Sequence, residues 1–264
     1  MDGDKKYYTD INSETISRWV AGGWEWGIPI SHEDYIKAKR GEWGVLLSPN
    51  IKVPFEWFSP YINLKIRRLD GISVLGLASG GGQQMPIFAA IGADATVLDY
   101  SDAQLNNERI VAQREDYLIN IVKADMTKTL PFEDNSFDII FHPVSNSYVE
   151  DVYHVWNECY RVLKKGGILL AGMGNGFDYL FDDESDEPLL VRHKLPYNPL
   201  KNPEQYKCSI ECDGSLQFSH TLEEQIGGQL KAGFILTDLY EDRDSSGIYK
   251  DYFPGYIVTR AVKK

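Results

Sequence analysis

ISVLGLASGGG, residues 72–82, joins a short apolar run with β-branched members to a cluster of three glycines. The apolar run predicts a buried strand, and the glycines allow the backbone to turn sharply where that strand ends. Residues 83–91 have helical spacing and stop at Gly92, and residues 95–98 form a second apolar run that leads into Asp99. A strand, a glycine turn, a helix and a second strand in this order predict a βαβ unit with parallel strands.

The same alternation continues toward the C-terminus. Helices are predicted at residues 102–115 and 151–163, and Gly166-Gly167 keeps the second helix from continuing. Further strands are predicted at residues 119–123, 137–141, 168–171, 234–240 and 256–261. The inner strands are almost continuously apolar, as expected for a sheet that helices cover on both faces. The pattern predicts an α/β fold with a mostly parallel seven-stranded sheet, whose last two strands form an antiparallel edge hairpin.

Composition favours a soluble protein that does not bind nucleic acid. The 264 residues carry a formal net charge of −12 and contain no long basic run, whereas proteins that bind phosphate backbones use clustered Lys and Arg. A small-molecule or protein substrate is therefore favoured. The first ten residues, MDGDKKYYTD, lack the apolar core of a signal peptide, and no stretch approaches the ~20 apolar residues of a membrane span. We expect a cytoplasmic protein.

Cysteine usage agrees with a reducing compartment. The chain has three cysteines, Cys159, Cys208 and Cys212, which are too few for a disulfide framework in a protein of this size. Cys208 and Cys212 are four residues apart with no neighbouring histidine at ligand spacing, so two free thiols are favoured over a metal site. We expect no bound metal.

Two segments fall outside the strand–helix alternation. Residues 1–70 hold five of the six tryptophans and short helical stretches, which predicts an aromatic-rich helical cap before a main domain at residues 71–264. The tryptophans are expected to pack within the cap more than to contact a substrate. Residues 174–217 are rich in Gly, Asp, Glu, Pro and Tyr and are too long for an ordinary connection. This segment is either a solvated excursion or a lid over a substrate pocket, and the sequence favours neither.

Acidic residues follow the second and third predicted strands. Asp99 ends the second strand and Asp125 follows the third, while the glycine loop at residues 80–82 follows the first. Since ligands of open α/β sheets bind beyond the carboxyl ends of the strands, the three features are expected along one rim. Asp99 is suited to accept hydrogen bonds from ribose hydroxyls, and Asp125 to reach an adenine amino group. Alone, Asp99 would serve equally well as a loop acid or a helix N-cap, and Asp125 would more often be a turn residue. Together they predict a nucleoside site.

Five stretches of the chain resemble class I S-adenosylmethionine-dependent methyltransferases: VLGLASGGG (74–82), LDYS (98–101), KADM (123–126), LPFEDNSFDIIF (130–141) and RVLKKGGILLAG (161–172). Within that superfamily the chain is most similar to the small-molecule methyltransferases of ubiquinone and menaquinone biosynthesis. The resemblance implies a Rossmann-like sheet, S-adenosylmethionine as the cofactor, and methyl transfer to an O, N or C atom of a small-molecule acceptor.

The resemblance also implies which residues contact the cofactor: Ala78, Ser79, Gly80, Gly82, Gln84, Asp99, Tyr100, Gln104, Asp125, Met126 and His142. The glycine-loop residues are expected beside the methionine and ribose portions, and Asp99 at the ribose hydroxyls. Tyr100 and Gln104 are expected on the two sides of the adenine, with Asp125 and Met126 at its edge.

Two positions depart from the family pattern. Gly76 stands where an acid is common, and Ala78 where a glycine is common. The missing acid removes an anchor for the amino-acid end of the cofactor. We expect hydrogen bonds from Ser79, Gln83 or Gln84 to replace it.

The chain shows no Ser/His/Asp or metal constellation, which suits methyl transfer because the sulfonium of the cofactor is already a strong electrophile. His142 follows the fourth strand, where the resemblance places it beside the transferable methyl group. It is a weak candidate for a catalytic residue, since a polar side chain that satisfies local backbone groups explains it equally well.

Three alternatives remain open at this point. The first is a nicotinamide-dependent oxidoreductase, but Met85 stands where the third glycine of G-x-G-x-x-G belongs. The second is a non-catalytic S-adenosylmethionine-binding protein, which Gly76 favours. The third is an RNA methyltransferase, which the acidic composition disfavours. The acceptor atom and the oligomeric state are undetermined by the sequence.

Overall fold

The computed structural model describes residues 7–181, 188–212 and 214–264. Its centre is a sheet formed by β1 (Ser73–Leu77), β2 (Asp94–Asp99), β3 (Asn120–Lys123), β4 (Phe137–His142), β5 (Leu163–Gly174), β6 (Phe234–Asp242) and β7 (Tyr256–Lys263). The strand order is β3-β2-β1-β4-β5-β7-β6. Strands β1 to β5 are parallel, and β7 runs antiparallel to both β5 and β6. The predicted fold, with its seven strands and antiparallel edge pair, is confirmed.

Alternate side chains of the inner strands enter separate cores on the two faces of the sheet. Val74 and Leu75 of β1 belong to different clusters of buried residues, and so do Ile139 and Ile140 of β4. None of these four side chains has exposed surface. Because successive side chains of a strand point to opposite faces, burial of both faces explains why these strands are almost continuously apolar.

The helices are α1 (Tyr8–Ala21), α2 (His32–Lys39), α3 (Met85–Ala90), α4 (Asp102–Glu115), α5 (Val152–Val162), α6 (Pro203–Cys212), α7 (Gly228–Ala232) and α8 (Tyr249–Tyr252). Helices α2, α3 and α4 pack into the core on one face, whereas α5 buries Trp156 in the core on the other. No helix of the described ranges is long and apolar enough to cross a membrane.

Hydrogen bonds explain where α5 begins and ends. The Asp151 carboxylate accepts from the backbone N–H of Tyr153 and caps the first turn. The helix ends at Val162, one residue before its predicted end at 163, but β5 begins at Leu163 and not at the predicted residue 168. The reason is that Leu163 already pairs with Phe137 in the sheet, so β5 starts before the glycines.

The segment before the sheet, residues 7–70, contributes to the main core. Phe58 is fully buried in the same cluster as Val74 of β1. The Ser48 hydroxyl donates to Asp242 Oδ2 at 2.8 Å, which ties this segment to the end of β6. The segment is aromatic-rich and partly helical, as expected, although its first six residues lie outside the described ranges. The division of the chain into a cap and a main domain stays a prediction.

The segment at residues 174–217 contains a 3-10 turn at Asp178–Leu180 and helix α6. Residues 182–187 and 213, which include part of its acidic run, lie outside the described residues. The turn borders the cavity described below through Asp178 and Tyr179. The interpretation of this segment as a lid stays a prediction.

Candidate functional site

A cavity of about 530 Å³ lies beyond the carboxyl ends of β1 to β4. Its wall includes residues 78–80 after β1, 98–101 around the end of β2, and 124–127 after β3. This is the rim that the sequence predicts, and it is where open α/β sheets bind their ligands. Most of the expected cofactor-binding residues line this cavity: Ala78, Ser79, Gly80, Gln84, Asp99, Tyr100, Gln104, Asp125 and Met126.

The glycine loop is pressed against Asp99. The N–H of Gly80 donates to Asp99 Oδ2 at 3.0 Å, and a Cβ at Gly80 would lie 2.8 Å from the same oxygen. Only glycine therefore allows this close approach. Ala78, two residues earlier, has φ 49°, in the left-handed region that favours glycine. The alanine thus adopts the backbone conformation of the glycine that the family pattern has there.

Asp99 is held at the cavity wall by backbone groups. Its Oδ1 accepts from the N–H of Ser101 at 2.9 Å, and its Oδ2 from the N–H of Gly80. Only 9% of the residue is exposed. Burial raises the pKa of Asp99, and the N–H groups of Ser101 and Gly80 oppose that shift. Because a carboxylate oxygen carries two lone pairs, each oxygen keeps one for a ligand hydroxyl.

Asp125 borders the same cavity from the neighbouring strand. The backbone N–H of Ala124 donates to the carbonyl of Asp99 at 3.2 Å, which joins the ends of β2 and β3. Asp125 Oδ1 accepts from the N–H of Thr127 at 2.8 Å, and Oδ2 accepts from the Thr9 hydroxyl at 3.0 Å. The two aspartates that the sequence singles out thus lie on one wall.

Three buried oxygens on this wall have no hydrogen-bond partner among the described residues: Ser79 Oγ, Gln104 Oε1 and Thr127 Oγ1. Ser79 is 3% and Gln104 7% exposed, and both line the cavity. Gln104 is otherwise held in place, because its Nε2 donates to the carbonyl of Trp26 at 3.1 Å. A buried polar atom without a partner is costly, so these oxygens are suited to a ligand with hydrogen-bond donors.

Gly82 and His142 do not line the cavity. The N–H of Gly82 donates to Glu108 Oε1 at 2.7 Å, and its backbone packs against α4. His142 has no exposed surface, and its Nδ1 and Nε2 lie 2.9 Å from the Leu77 carbonyl and 2.8 Å from Asn146 Oδ1. Burial lowers the pKa of His142. These contacts match the alternative interpretation, in which the histidine satisfies local polar groups.

The space for an acid at Gly76 is taken by Met85. A Cβ built on Gly76 would lie 2.3 Å from Met85 Sδ and 3.1 Å from Ser79 Cβ. Of the residues expected to replace the acid, Gln83 donates its Nε2 to the Ile28 carbonyl, and Gln84 accepts through Oε1 from the backbone N–H of residue 46. Both glutamines thus tie the N-terminal segment to the glycine loop. Ser79 keeps an unpartnered hydroxyl for a ligand.

The sequence did not predict several residues of the cavity wall. Helix α1 lies along the cofactor side, and the tryptophans after it border the cavity as well: Thr9, Asn12, Ser13, Ile16, Trp24 and Trp26. On the opposite side, polar residues come from the segments around β5, β6 and β7: Asp178, Tyr179, His220, Asp244, Tyr249 and Tyr256. The sequence predicts a pocket between the glycine rim, the aromatic N-terminal cap and residues 174–217, but it did not indicate which side chains of the cap and of that segment line the cavity.

The cavity is strongly acidic. Its described lining contains no lysine or arginine. The lining has five carboxylates, which belong to Glu25, Asp99, Asp125, Asp178 and Asp244. Such a lining repels phosphates and other anions and attracts cations.

Comparisons with known proteins agree with this geometry. A family model described as a methyltransferase domain matches residues 75–171, which contain the last three residues of β1, all of β2 to β4 and most of β5. A protein of Bacillus subtilis (strain 168), described as the uncharacterized methyltransferase YbaJ, is 43% identical over 256 residues, covering 96% of this chain and 97% of that protein. The chain belongs to the class I S-adenosylmethionine-dependent methyltransferases.

Two further matches agree with that assignment. A sterol 24-C-methyltransferase of Gibberella zeae is 34% identical over 138 residues, which cover 51% of this methyltransferase but only 35% of the sterol enzyme. The crystal structure of an S-adenosylmethionine-dependent methyltransferase from Mesorhizobium loti superposes with a TM-score of 0.60 at 18% identity, covering 80% of this chain and 98% of the other. The structural match supports the fold alone.

The cavity wall of this methyltransferase fits S-adenosylmethionine. The cofactor combines an adenosine with a positively charged sulfonium and an amino acid, and it carries no phosphate. Carboxylates and unpartnered oxygens suit its hydroxyl, amino and ammonium groups. Ser79 Oγ and Gln104 Oε1 are therefore groups that a bound cofactor would satisfy.

Proposed function

We propose that this methyltransferase acts on a small-molecule acceptor and holds the adenosine of its cofactor between Asp99 and Asp125. The observation that carries the proposal is that both carboxylates line one cavity together with the glycine loop. A sterol methyltransferase among the partial relatives supports a small-molecule acceptor. The cavity volume of about 530 Å³ supports it too, because pockets of a few hundred cubic ångströms or more are typical of small-molecule sites.

Each group has a proposed role. Asp99 accepts hydrogen bonds from the ribose hydroxyls through the lone pairs that Gly80 and Ser101 leave free. Asp125 accepts from the adenine amino group while Thr9 fixes its orientation. Tyr100, Gln104 and Met126 enclose the adenine ring. Ser79 receives the amino-acid end of the cofactor, where the usual acid is missing.

When bound, S-adenosylmethionine supplies an electrophilic methyl group on a sulfonium. The chain then has to align the acceptor with that methyl group and exclude water. Alignment alone supplies roughly 7–11 kcal/mol of barrier reduction in well-oriented reactions. We assign His142 no proton transfer, because it is fully buried behind the cavity wall and both its nitrogens are engaged.

The acidic lining argues against the alternatives. A nicotinamide dinucleotide would bring two phosphates to a wall that offers carboxylates and, among its described residues, no lysine or arginine. An RNA acceptor would meet the same repulsion, in a chain with a net charge of −12. We also propose that residues 7–70 and 174–217 act as a cap and a lid over the acceptor. Cys159, Cys208 and Cys212 form no disulfide in the described part of the chain, which supports a cytoplasmic location.

Calorimetry tests the proposal directly. Titrations with S-adenosylmethionine, S-adenosylhomocysteine and NAD should show micromolar or tighter binding of the two adenosyl ligands and none of NAD. A panel of small-molecule acceptors, with S-adenosylhomocysteine release as the readout, then tests turnover. Tighter binding of NAD than of either adenosyl ligand would refute the cofactor assignment.

A further inference from the structure

The end of the cavity opposite the adenosine site is unexplained by cofactor binding. The adenosine residues follow β1 to β3, whereas Asp178 follows β5, Asp244 follows β6 and Tyr256 begins β7. In the sheet these two groups of strands lie on opposite sides of β4. An acceptor must approach the methyl group from the side that the cofactor leaves open, so these residues face the space for the acceptor.

Asp178, Asp244 and Tyr256 share this space. The Tyr256 hydroxyl donates to Asp244 Oδ1 at 2.8 Å. Burial raises the pKa of Tyr256, and the charges of Asp244 and Asp178 raise it further. Burial also raises the pKa of Asp178 to about 6, with a contribution from the charge of Asp244. Asp178 remains accessible from the cavity, so water there moderates this shift. The two carboxylates border the same cavity, and their like charges repel each other.

No described basic side chain compensates this charge. The cavity lining contains no lysine or arginine, and no described ion pair involves Asp178 or Asp244. His220 is the basic group of the described lining, and burial lowers its pKa, which keeps the ring neutral. The unpartnered buried oxygens of Ser79 and Gln104 are independent evidence that this cavity takes a ligand.

We propose that the methyl acceptor is an organic cation, such as a protonated amine, whose charged nitrogen lies between Asp178 and Asp244. This inference rests on the proposed methyl transfer to a small molecule. A cation relieves the repulsion of the two carboxylates and receives charge-assisted hydrogen bonds from both. The rings of Tyr179, Tyr249 and Tyr256 border the same space and suit a cation through their faces. An anionic acceptor would be excluded.

Three phenyl-bearing probes of similar size test the charge preference: 2-phenylethylamine, 2-phenylethanol and 3-phenylpropanoate. Each is titrated into the protein saturated with S-adenosylhomocysteine, and binding is followed by ligand-detected NMR. The amine should bind at least tenfold more tightly than the alcohol, and the carboxylate most weakly. In D178N/D244N the preference for the amine should fall below about threefold. D251N, which removes an exposed charge from α8 outside the cavity, should keep the full preference.

The variants also separate this inference from the proposed function. If the wild type fails to bind S-adenosylhomocysteine, the proposed function fails. If it binds this ligand but shows no preference for the amine, or binds none of the probes, the cationic acceptor is refuted. If D178N/D244N loses tenfold or more in affinity for S-adenosylhomocysteine, the carboxylates hold the ammonium of the cofactor, and the inference is refuted as well. The wild-type comparison stands even where the double variant does not fold.

Discussion

The Thr9 hydroxyl donates to Asp125 Oδ2 at 3.0 Å, across a sequence separation of 116 residues. A second bond has the same effect, because the Tyr100 hydroxyl donates to Asp10 Oδ1 at 2.6 Å. Helix α1 is thereby joined to residues that follow β2 and β3. It is part of the wall of the adenosine site, so opening this helix and releasing the cofactor are expected to be coupled.

The Thr9→Val substitution tests that coupling. Valine keeps the shape of threonine but removes the donor to Asp125. We expect S-adenosylhomocysteine to dissociate about fivefold faster, equivalent to about 1 kcal/mol for one hydrogen bond. Hydrogen exchange in α1 should also accelerate in the complex. Thr237→Val, at an exposed position of β6, is the control and should change neither measurement. Equal dissociation rates for Thr9→Val and the wild type would mean that α1 does not retain the ligand.

Asp99→Asn tests the ribose contact. The amide cannot accept through both of its terminal atoms, so it loses a backbone bond and one charge-assisted bond to the ribose. We expect the dissociation constant for S-adenosylhomocysteine to rise about 10- to 100-fold, as for a loss of 1.5–3 kcal/mol. Asp94→Asn, at the exposed start of the same strand, is the matched control. If both variants bind like the wild type in calorimetry, a different carboxylate holds the ribose.

The sheet was predictable because its signals are local. The continuous apolar run that forms β1 has a glycine turn after it, and the residues that follow have helical spacing, so the βαβ unit could be recognised without tertiary information. The start of β5, predicted at residue 168 but observed at Leu163, was not predictable in this way. Leu163 leaves the helix because Phe137 offers it a sheet partner, and that pairing depends on the assembled sheet.

The segments around the cavity were predictable, but its individual side chains were predictable only on the side of the glycine loop. Asp99 and Asp125 follow consecutive strands, and parallel strands bring their carboxyl ends to one edge, so the adenosine side follows from their order along the chain. Asp178 and Asp244 come from segments without periodicity, and they meet because β7 inserts between β5 and β6. His142 shows the limit of a resemblance, because it is the last residue of β4, within one residue of the expected position, but its side chain is buried in the protein.

Glu108 should make the stability of the protein depend on pH. The residue is fully buried below the glycine loop, its Oε1 accepts from the N–H of Gly82, and its Oε2 has no partner. Burial raises the pKa of Glu108 to about 8 from the usual value of 4.5. Between these values the folded protein binds a proton that the unfolded chain has released. The free energy of unfolding should therefore fall as the pH rises from about 5 to 8, by up to about 1.4 kcal/mol per pH unit.

Glu108→Gln resembles the protonated acid and should remove this dependence. Urea denaturation of both proteins at pH 5, 6, 7 and 8 measures the effect as the difference between their unfolding free energies. We expect the variant to gain stability relative to the wild type as the pH rises. If the unfolding free energies of the variant and the wild type change with pH in the same way, Glu108 is ionised in the folded protein.

Gly76 and Met85 should be coupled, since the methionine occupies the space where the family usually has an acid. A Cβ at Gly76 would lie 2.3 Å from Met85 Sδ, and Met85 is fully buried, so its side chain has little room to move. We expect Gly76→Ala to lower the free energy of unfolding by about 1–3 kcal/mol, as for other overpacked cores. Met85→Ala alone should also destabilise the protein, because it leaves a cavity. In the double variant the new methyl group occupies part of that cavity, so the two losses should not add.

Gly22→Ala is the control, since a Cβ there meets only ordinary contacts at 3.4 Å. Urea denaturation of the four proteins gives the coupling energy, and additive losses would mean that Met85 is not what excludes a side chain at position 76.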